Sequence, residues 1–173
     1  MLKPQPKRLQ SPHREPTMKL APHFGPRMLF ARDEASGSGP SGDAAPRVLI
    51  VEDDFLVSGD MEAELTDAGF VVVGIATSAQ EAIELAAAEE PHLVVMDIRL
   101  EGPSDGVEAA IEIFRSKGIR SLFASAYHDA ETRRRAEPCA PLGWIAKPYP
   151  MYALVLAVRD AMRAVGGPEP QSS

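Results

Sequence analysis

The sequence predicts an α/β fold, (βα)5, in which a parallel sheet carries helices on both faces. Three observations predict it. Between residues 47 and 165, short apolar runs alternate with longer segments of helical period. The apolar runs carry no polar alternation, as expected of strands buried on both faces in a sheet covered by helices. The polar residues suited to chemistry fall at the ends of those runs, where open α/β sheets bind their ligands.

Each element follows in order. RVLIVED opens the domain as a strand. DFLVSGDMEAELTDAG is a helix, with Phe55, Leu56, Met61, Leu65 and Ala68 at helical spacing and Gly69 placed as a C-terminal stop. FVVVGIA is the second strand. SAQEAIELAAAEE is a helix opened by Ser78 and Glu81 in capping-box spacing and closed by Pro91. HLVVMDI is the third strand. DGVEAAIEIFRSKG is a helix with the same box at Asp105 and Glu108 and a stop at Gly118. RSLFAS is the fourth strand, and HDAETRRRAE a short helix that Pro138 ends. GWIAK is the fifth strand, and MYALVLAVRDAMRAVGG the last helix, stopped by glycines.

The flanks differ from this core. Residues 1–46 hold 8 of the 16 prolines and are net +3, whereas the remainder is net −10. With the ASGSGPSGDAAP linker at their end, they read as a disordered Pro/Gly/Ser-rich extension before a domain at 47–166; 167–173 reads as a disordered tail. The net charge of −7 argues against a nucleic-acid partner, which needs a basic footprint. No apolar run approaches the roughly 20 residues of a membrane span, and no secretory signal core stands near the start. The single cysteine, Cys139, excludes an internal disulfide and a multi-cysteine zinc site and fits the cytoplasm.

The first strand raises the chemical question. VLIV runs straight into Glu52, Asp53 and Asp54. Three clustered carboxylates repel one another in a low-dielectric neighbourhood, so they call for a cation, and without it one of them should have a raised pKa. Asp97 lies near the end of the third strand, Ser125 ends the fourth and Lys147 ends the fifth. A parallel sheet brings all of these to one edge. Carboxylates alone suit a hard divalent cation such as Mg²⁺. A lysine and a hydroxyl add the positive charge and the donor that a phosphoryl group requires. A carboxylate can itself be the nucleophile and form an acyl phosphate, and Asp97, isolated on an inner strand, is the candidate. Asp54 reads as an N-cap or a solvated residue.

VLIVEDD, VVMDIRL with DG eight residues after the aspartate, FASA and WIAKPY together resemble, in order and rough spacing, the receiver domains of bacterial two-component response regulators. The resemblance covers about residues 47–165. It implies a flavodoxin-like sheet of order 2-1-3-4-5. It implies that Asp97 accepts a phosphoryl group in a Mg²⁺-dependent phosphorelay. Asp53 and Glu52, Asp97 itself and the backbone carbonyl of Arg99 would serve the metal. Ser125 would hydrogen-bond the phosphoryl group and Lys147 pair with it, with Lys147–Pro148 a cis peptide. Trp144 stands where the family usually has a switch Tyr or Phe, so Ser125 and Trp144 form the implied switch. The donor would be a histidine kinase or phosphotransfer protein. Output would pass through protein contacts to a downstream protein, in a stand-alone receiver that is not an enzyme. The chain departs from the family pattern in a RLEGPSDG loop one residue longer than the commonest form, in Trp144, and in FASAYH, which only loosely matches a motif of alphaproteobacterial receivers.

Two readings compete with phosphorelay. An aspartyl-nucleophile phosphatase typically needs a general acid two residues after the nucleophile, where this chain has Arg99. A receiver-like interaction module that is never phosphorylated would not need the full set of site groups. A nucleotide-binding domain lacks its Gly-rich loop after the first strand.

Overall fold

The computed structural model describes residues 45–127 and 129–170. Residues 1–44 of the predicted extension and 171–173 of the predicted tail lie outside the described residues. The strands are β1 (Arg47–Val51), β2 (Val71–Ala76), β3 (Leu93–Met96), β4 (Ser121–Ser125) and β5 (Gly143–Ala146). The helices are α1 (Phe55–Asp67), α2 (Ala79–Glu89), α3 (Gly106–Lys117), α4 (Ala130–Ala136) and α5 (Met151–Ala164), with a 3₁₀ turn at Glu137–Cys139. Every strand pair is parallel and the sheet order is β2-β1-β3-β4-β5, as the family resemblance implies.

The strand period of two divides the core into two layers. Leu49, Val51, Val94, Met96 and Phe123 point to one face, where α2, α3 and α4 supply Ala82, Ala86, Val107, Ile113 and Ala136. Val48, Ile50, Leu93, Val95 and Leu122 point to the other, against Met61 and Leu65 of α1 and Leu154 and Val158 of α5. The three inner strands are nearly or fully buried on both faces, as predicted. The edge strands β2 and β5 are only half-buried, because each has a neighbour on one side alone.

The helix starts follow side-chain capping. Asp54 Oδ1 accepts from the amides of Leu56 (2.9 Å) and Val57 (3.2 Å), so the third acid of the first cluster is an N-cap. Asp105 caps α3 through Val107 and Glu108, and Ser78 caps α2 through Glu81. One expectation is corrected in α1. Met61 and Leu65 are its large buried apolar side chains, but Phe55 and Leu56 are 84% and 76% exposed. They occupy the first turn, which begins beyond the end of β1 and overhangs the sheet edge. The short α4 passes directly into the 3₁₀ turn at Glu137, with Pro138 inside that turn.

Just before β1, Pro46 is buried and its carbonyl accepts from Val71 N. After α5, Glu169 pairs with Arg163 at 3.0 Å. No helix among the described residues is long and apolar enough to cross a membrane.

Candidate functional site

Two acids are held by the sheet itself. Glu52 and Asp97 each follow a strand by one residue and still belong to its ladder: Glu52 N donates to Ala76 O and Asp97 N to Val51 O, both at 2.9 Å. Their backbones are therefore fixed, and their side chains are buried at the carboxyl edge. Lys147 follows β5, its amide bonded to Ser125 O at 3.2 Å. Its ammonium reaches across the edge to Glu52 Oε2 at 2.5 Å and Asp97 Oδ2 at 2.6 Å. Asp53 is exposed, yet one carboxylate oxygen from each of Glu52, Asp53 and Asp97 lies within 4.8 Å of the other two.

The charges do not balance, since one lysine faces three carboxylates. Burial pushes the Glu52 carboxyl above its usual range; Lys147 opposes this, while Asp97 and Asp53 add to it. The expected raised acid is thus Glu52. Burial also pulls the Lys147 ammonium down, but its bonds to Asp97 and Glu52 outweigh that and hold its pKa above the ordinary value, so it stays charged. Such a cluster is a poor way to stabilise a fold. Desolvating these ions costs about as much as their attraction returns, or more. Its persistence at a strand edge points to chemistry.

Oxygen donors this close suit a hard cation that keeps part of its water, so the donor set fits Mg²⁺. Asp97 Oδ1 is oriented by the amides of Ile98 (2.5 Å) and Arg99 (3.3 Å). Gly106 explains the DG pair. Its amide donates to Ile98 O at 2.8 Å, and a Cβ at this position would overlap the Asp97 carbonyl oxygen. α3 can start against the backbone of Asp97 only with glycine there.

Ser125 is buried at the end of β4. Its Oγ accepts from Tyr127 N at 3.3 Å, and the structure shows no hydrogen bond from it to Asp97. Trp144 stacks on Phe123 with ring centroids 4.5 Å apart, and the Arg133 guanidinium lies over the Trp144 ring, 5.1 Å from its centroid. Lys147–Pro148 is cis. Arg99 follows Asp97 by two residues, its side chain exposed and directed to Tyr127, whose hydroxyl accepts from Nη1 at 2.6 Å.

Three features escaped the sequence reading. One is the Arg99–Tyr127 contact, which joins residues 28 apart with no shared motif. Another is the Asp105–Arg135 ion pair at 2.7 Å, which ties the start of α3 to α4. The third is a recess of about 370 Å³ lined by Val57, Ala126, Lys147, Pro148, Tyr149 and Met151, adjoining the exposed first turn of α1. A Phe-Leu pair directly after an N-cap aspartate was the available signal for that exposed turn.

Comparison with known proteins places this geometry among relatives. A family model described as the response regulator receiver domain matches residues 48–159. The transcriptional regulatory protein PdtaR of Mycobacterium tuberculosis is 33% identical over 129 residues, covering 72% of this chain and 62% of PdtaR. The phyllosphere-induced regulator PhyR of Methylorubrum extorquens is 34% identical over 119 residues, covering 68% of this chain and 43% of PhyR. The match therefore spans less than two thirds of the length of either relative. Among solved structures, the signal receiver domain of a modulated diguanylate cyclase from Desulfovibrio desulfuricans superposes with a TM-score of 0.65 at 31% identity, over 71% of this chain and 98% of that one.

Proposed function

Because the chain belongs to the response regulator receiver domain family, we propose that it accepts a phosphoryl group on Asp97 in a two-component phosphorelay. The observation that carries this reading is the Lys147 bridge between Glu52 and Asp97, with Asp53 completing the carboxylate cluster. An Asp97 oxygen attacks phosphorus, the bond from phosphorus to the donor histidine nitrogen breaks, and the electron pair leaves with the imidazole, which takes up a proton. Glu52, Asp53, Asp97 and the Arg99 carbonyl are the proposed Mg²⁺ ligands; when bound, the ion supplies positive charge to the phosphoryl oxygens. Lys147 stays charged and turns from the carboxylates to the phosphoryl group, and Ser125 donates its hydroxyl to it.

The phosphatase reading is not adopted, because the residue two after Asp97 is an arginine whose side chain is bound to Tyr127, and it offers no general acid. The phosphodonor is a histidine kinase or phosphotransfer protein. The exposed Phe55 and Leu56, beside the recess at Val57 and Lys147, present an apolar surface next to the acceptor on which a donor can seat. Output runs through α4, β5 and α5 to a downstream protein rather than to nucleic acid, in a cytoplasmic setting.

Incubation with Mg²⁺ and acetyl phosphate or a phosphorylated kinase should add one phosphoryl group to wild type, read by mass. Asp97→Asn should abolish this label. Full labelling of Asp97→Asn would refute the assignment.

A further inference from the structure

The groove between α1 and α5 combines two features that the fold itself does not use. Its floor is apolar. α5 buries Leu154, Val158, Ala161 and Met162 in the core. Tyr152 and Leu156, four residues apart and off that stripe, stay 69% and 55% exposed. Together with Val155 and Ala68 they line a recess of about 380 Å³, and its α1 wall carries Glu64 and Asp67. Arg159 Nη2 donates to Ala68 O at 3.4 Å and ties the two helices together beside it. Two exposed apolar side chains are ordinary on a protein surface. The wall next to them is not.

The charged residues of α1 are Asp60, Glu62, Glu64 and Asp67, with no Lys or Arg among them. The C-terminus of a helix is already partly negative and favours cations, yet Glu64 and Asp67 stand in the last turn of α1 and no base does. Asp60 and Glu64 are four residues apart and Glu64 and Asp67 three, so like charges meet along one flank. None of these four carboxylates enters an ion pair among the described residues. α3 shows the ordinary arrangement, with Glu108 in its first turn and Arg115 and Lys117 in its last. The reversed charge of α1 costs the helix stability, and nothing inside the domain offsets it.

We propose that the α1–α5 groove docks a helix of a partner protein that presents lysine or arginine beside a row of apolar side chains. The apolar row covers Tyr152, Val155 and Leu156. The cations meet Glu64 and Asp67, where the helix end and the like charges both call for positive charge. Anchors at i, i+3 or i+4 suit a helix laid in a groove. Charge selects against other occupants. An acidic segment or an anionic lipid surface would face the same carboxylates, and a second copy of this domain, net −10 over residues 47–173, would bring its own. The inference goes beyond the phosphoryl reading and does not depend on it, because none of these residues belongs to the carboxylate cluster at Asp97.

The probe is a fluorescein-labelled amphipathic helix of Leu and Lys, about 18 residues or five turns long, and the control is its counterpart of Leu and Glu. Fluorescence anisotropy with the full chain should show saturable binding of the Lys peptide and none of the Glu peptide. Leu156→Ala, at an exposed position, should weaken binding about fivefold or more. Glu64→Lys should weaken it by a similar factor of about five, and Glu64→Lys with Asp67→Lys should admit the Glu peptide instead. These variants remain folded, since cations suit the end of α1. Glu112→Lys, at another exposed acid but on α3 at the opposite face of the sheet, should leave binding unchanged. An equal loss with Glu112→Lys would reduce the effect to unspecific charge attraction and overturn the site. Binding indifferent to Leu156→Ala or to Glu64→Lys, or no binding of the Lys peptide, would overturn it as well. A wild-type dimer in sedimentation that Leu156→Ala dissociates would give the groove to a second copy and refute the basic partner.

Discussion

One substitution, glycine to alanine, should have opposite signs in two helices of this domain. Gly59 sits in α1 with nothing within 4 Å of where its Cβ would be. Alanine there removes backbone freedom from the unfolded chain and should stabilise by about 0.5–1 kcal/mol. Gly106 opens α3, and its φ is not in the left-handed region, so helix propensity alone would also favour alanine. Packing forbids it. The added Cβ would overlap the Asp97 carbonyl oxygen and lie 2.9 Å from the carbonyl carbon and 3.1 Å from Ile98 Cα. These are backbone atoms directly after the last bond of the β1–β3 ladder, Asp97 N to Val51 O, and they cannot swing aside as a side-chain tip can. Overpacking of this kind costs roughly 1–3 kcal/mol or more, which outweighs the propensity gain of about 1 kcal/mol at most. A net loss near 2 kcal/mol is expected for Gly106→Ala. The displaced peptide is that of Asp97, so beryllofluoride affinity should fall by about tenfold or more, since misplacing a reacting group by about 1 Å can cost 10²-fold. Urea denaturation followed by circular dichroism measures the first effect and calorimetry the second. A Gly106→Ala protein as stable as wild type, or more stable, would show that α3 does not abut the acceptor as described.

Three further outcomes are expected. Asp53→Ala should remove most Mg²⁺ binding, whereas Asp54→Ala should leave it intact and cost about 1 kcal/mol of stability through the lost cap; the reverse result in a Mg²⁺ titration would shift the metal assignment by one residue. Emission of Trp144, which stacks on Phe123 and has the Arg133 guanidinium over its ring, should change when wild type binds Mg²⁺ and beryllofluoride and stay constant in Asp97→Asn; proven binding without a spectral change would remove Trp144 from the switch. Burial pushes the Tyr149 phenol up to about 12 from 10.0, so one of the three tyrosines should ionise last in an ultraviolet titration. The folded state then keeps a proton that the unfolded state has lost, so this group makes stability fall as pH rises from about 10 towards 12. Three tyrosines ionising together at the ordinary value would contradict that burial.

Much of this molecule was legible along the chain because the relevant physics is local. Apolar runs without alternation mark inner strands, and β1, β3 and β4 are buried as their residues demand. Asp54, Ser78 and Asp105 cap the helices they precede, since a cap needs only an oxygen two or three residues from an amide. A parallel sheet brings every strand end to one edge, so Glu52, Asp97, Ser125 and Lys147 could be assigned to one edge from their positions alone.

Tertiary structure decided what depends on distance across that edge. Lys147 could have paired with either acid, and it bridges both because β1 and β3 are neighbours and its ammonium reaches across the edge from the end of β5. The exposure of Phe55 and Leu56 follows from where the first turn of α1 overhangs the sheet, which helical periodicity does not contain. Gly106 reads as a turn residue until α3 is placed against the Asp97 carbonyl. The Arg99–Tyr127 and Asp105–Arg135 ties join residues 28 and 30 apart through side chains that carry no periodic signal. Local pattern determines which residues form strands, caps and edges. Contacts between elements that meet only after folding determine which of those residues touch.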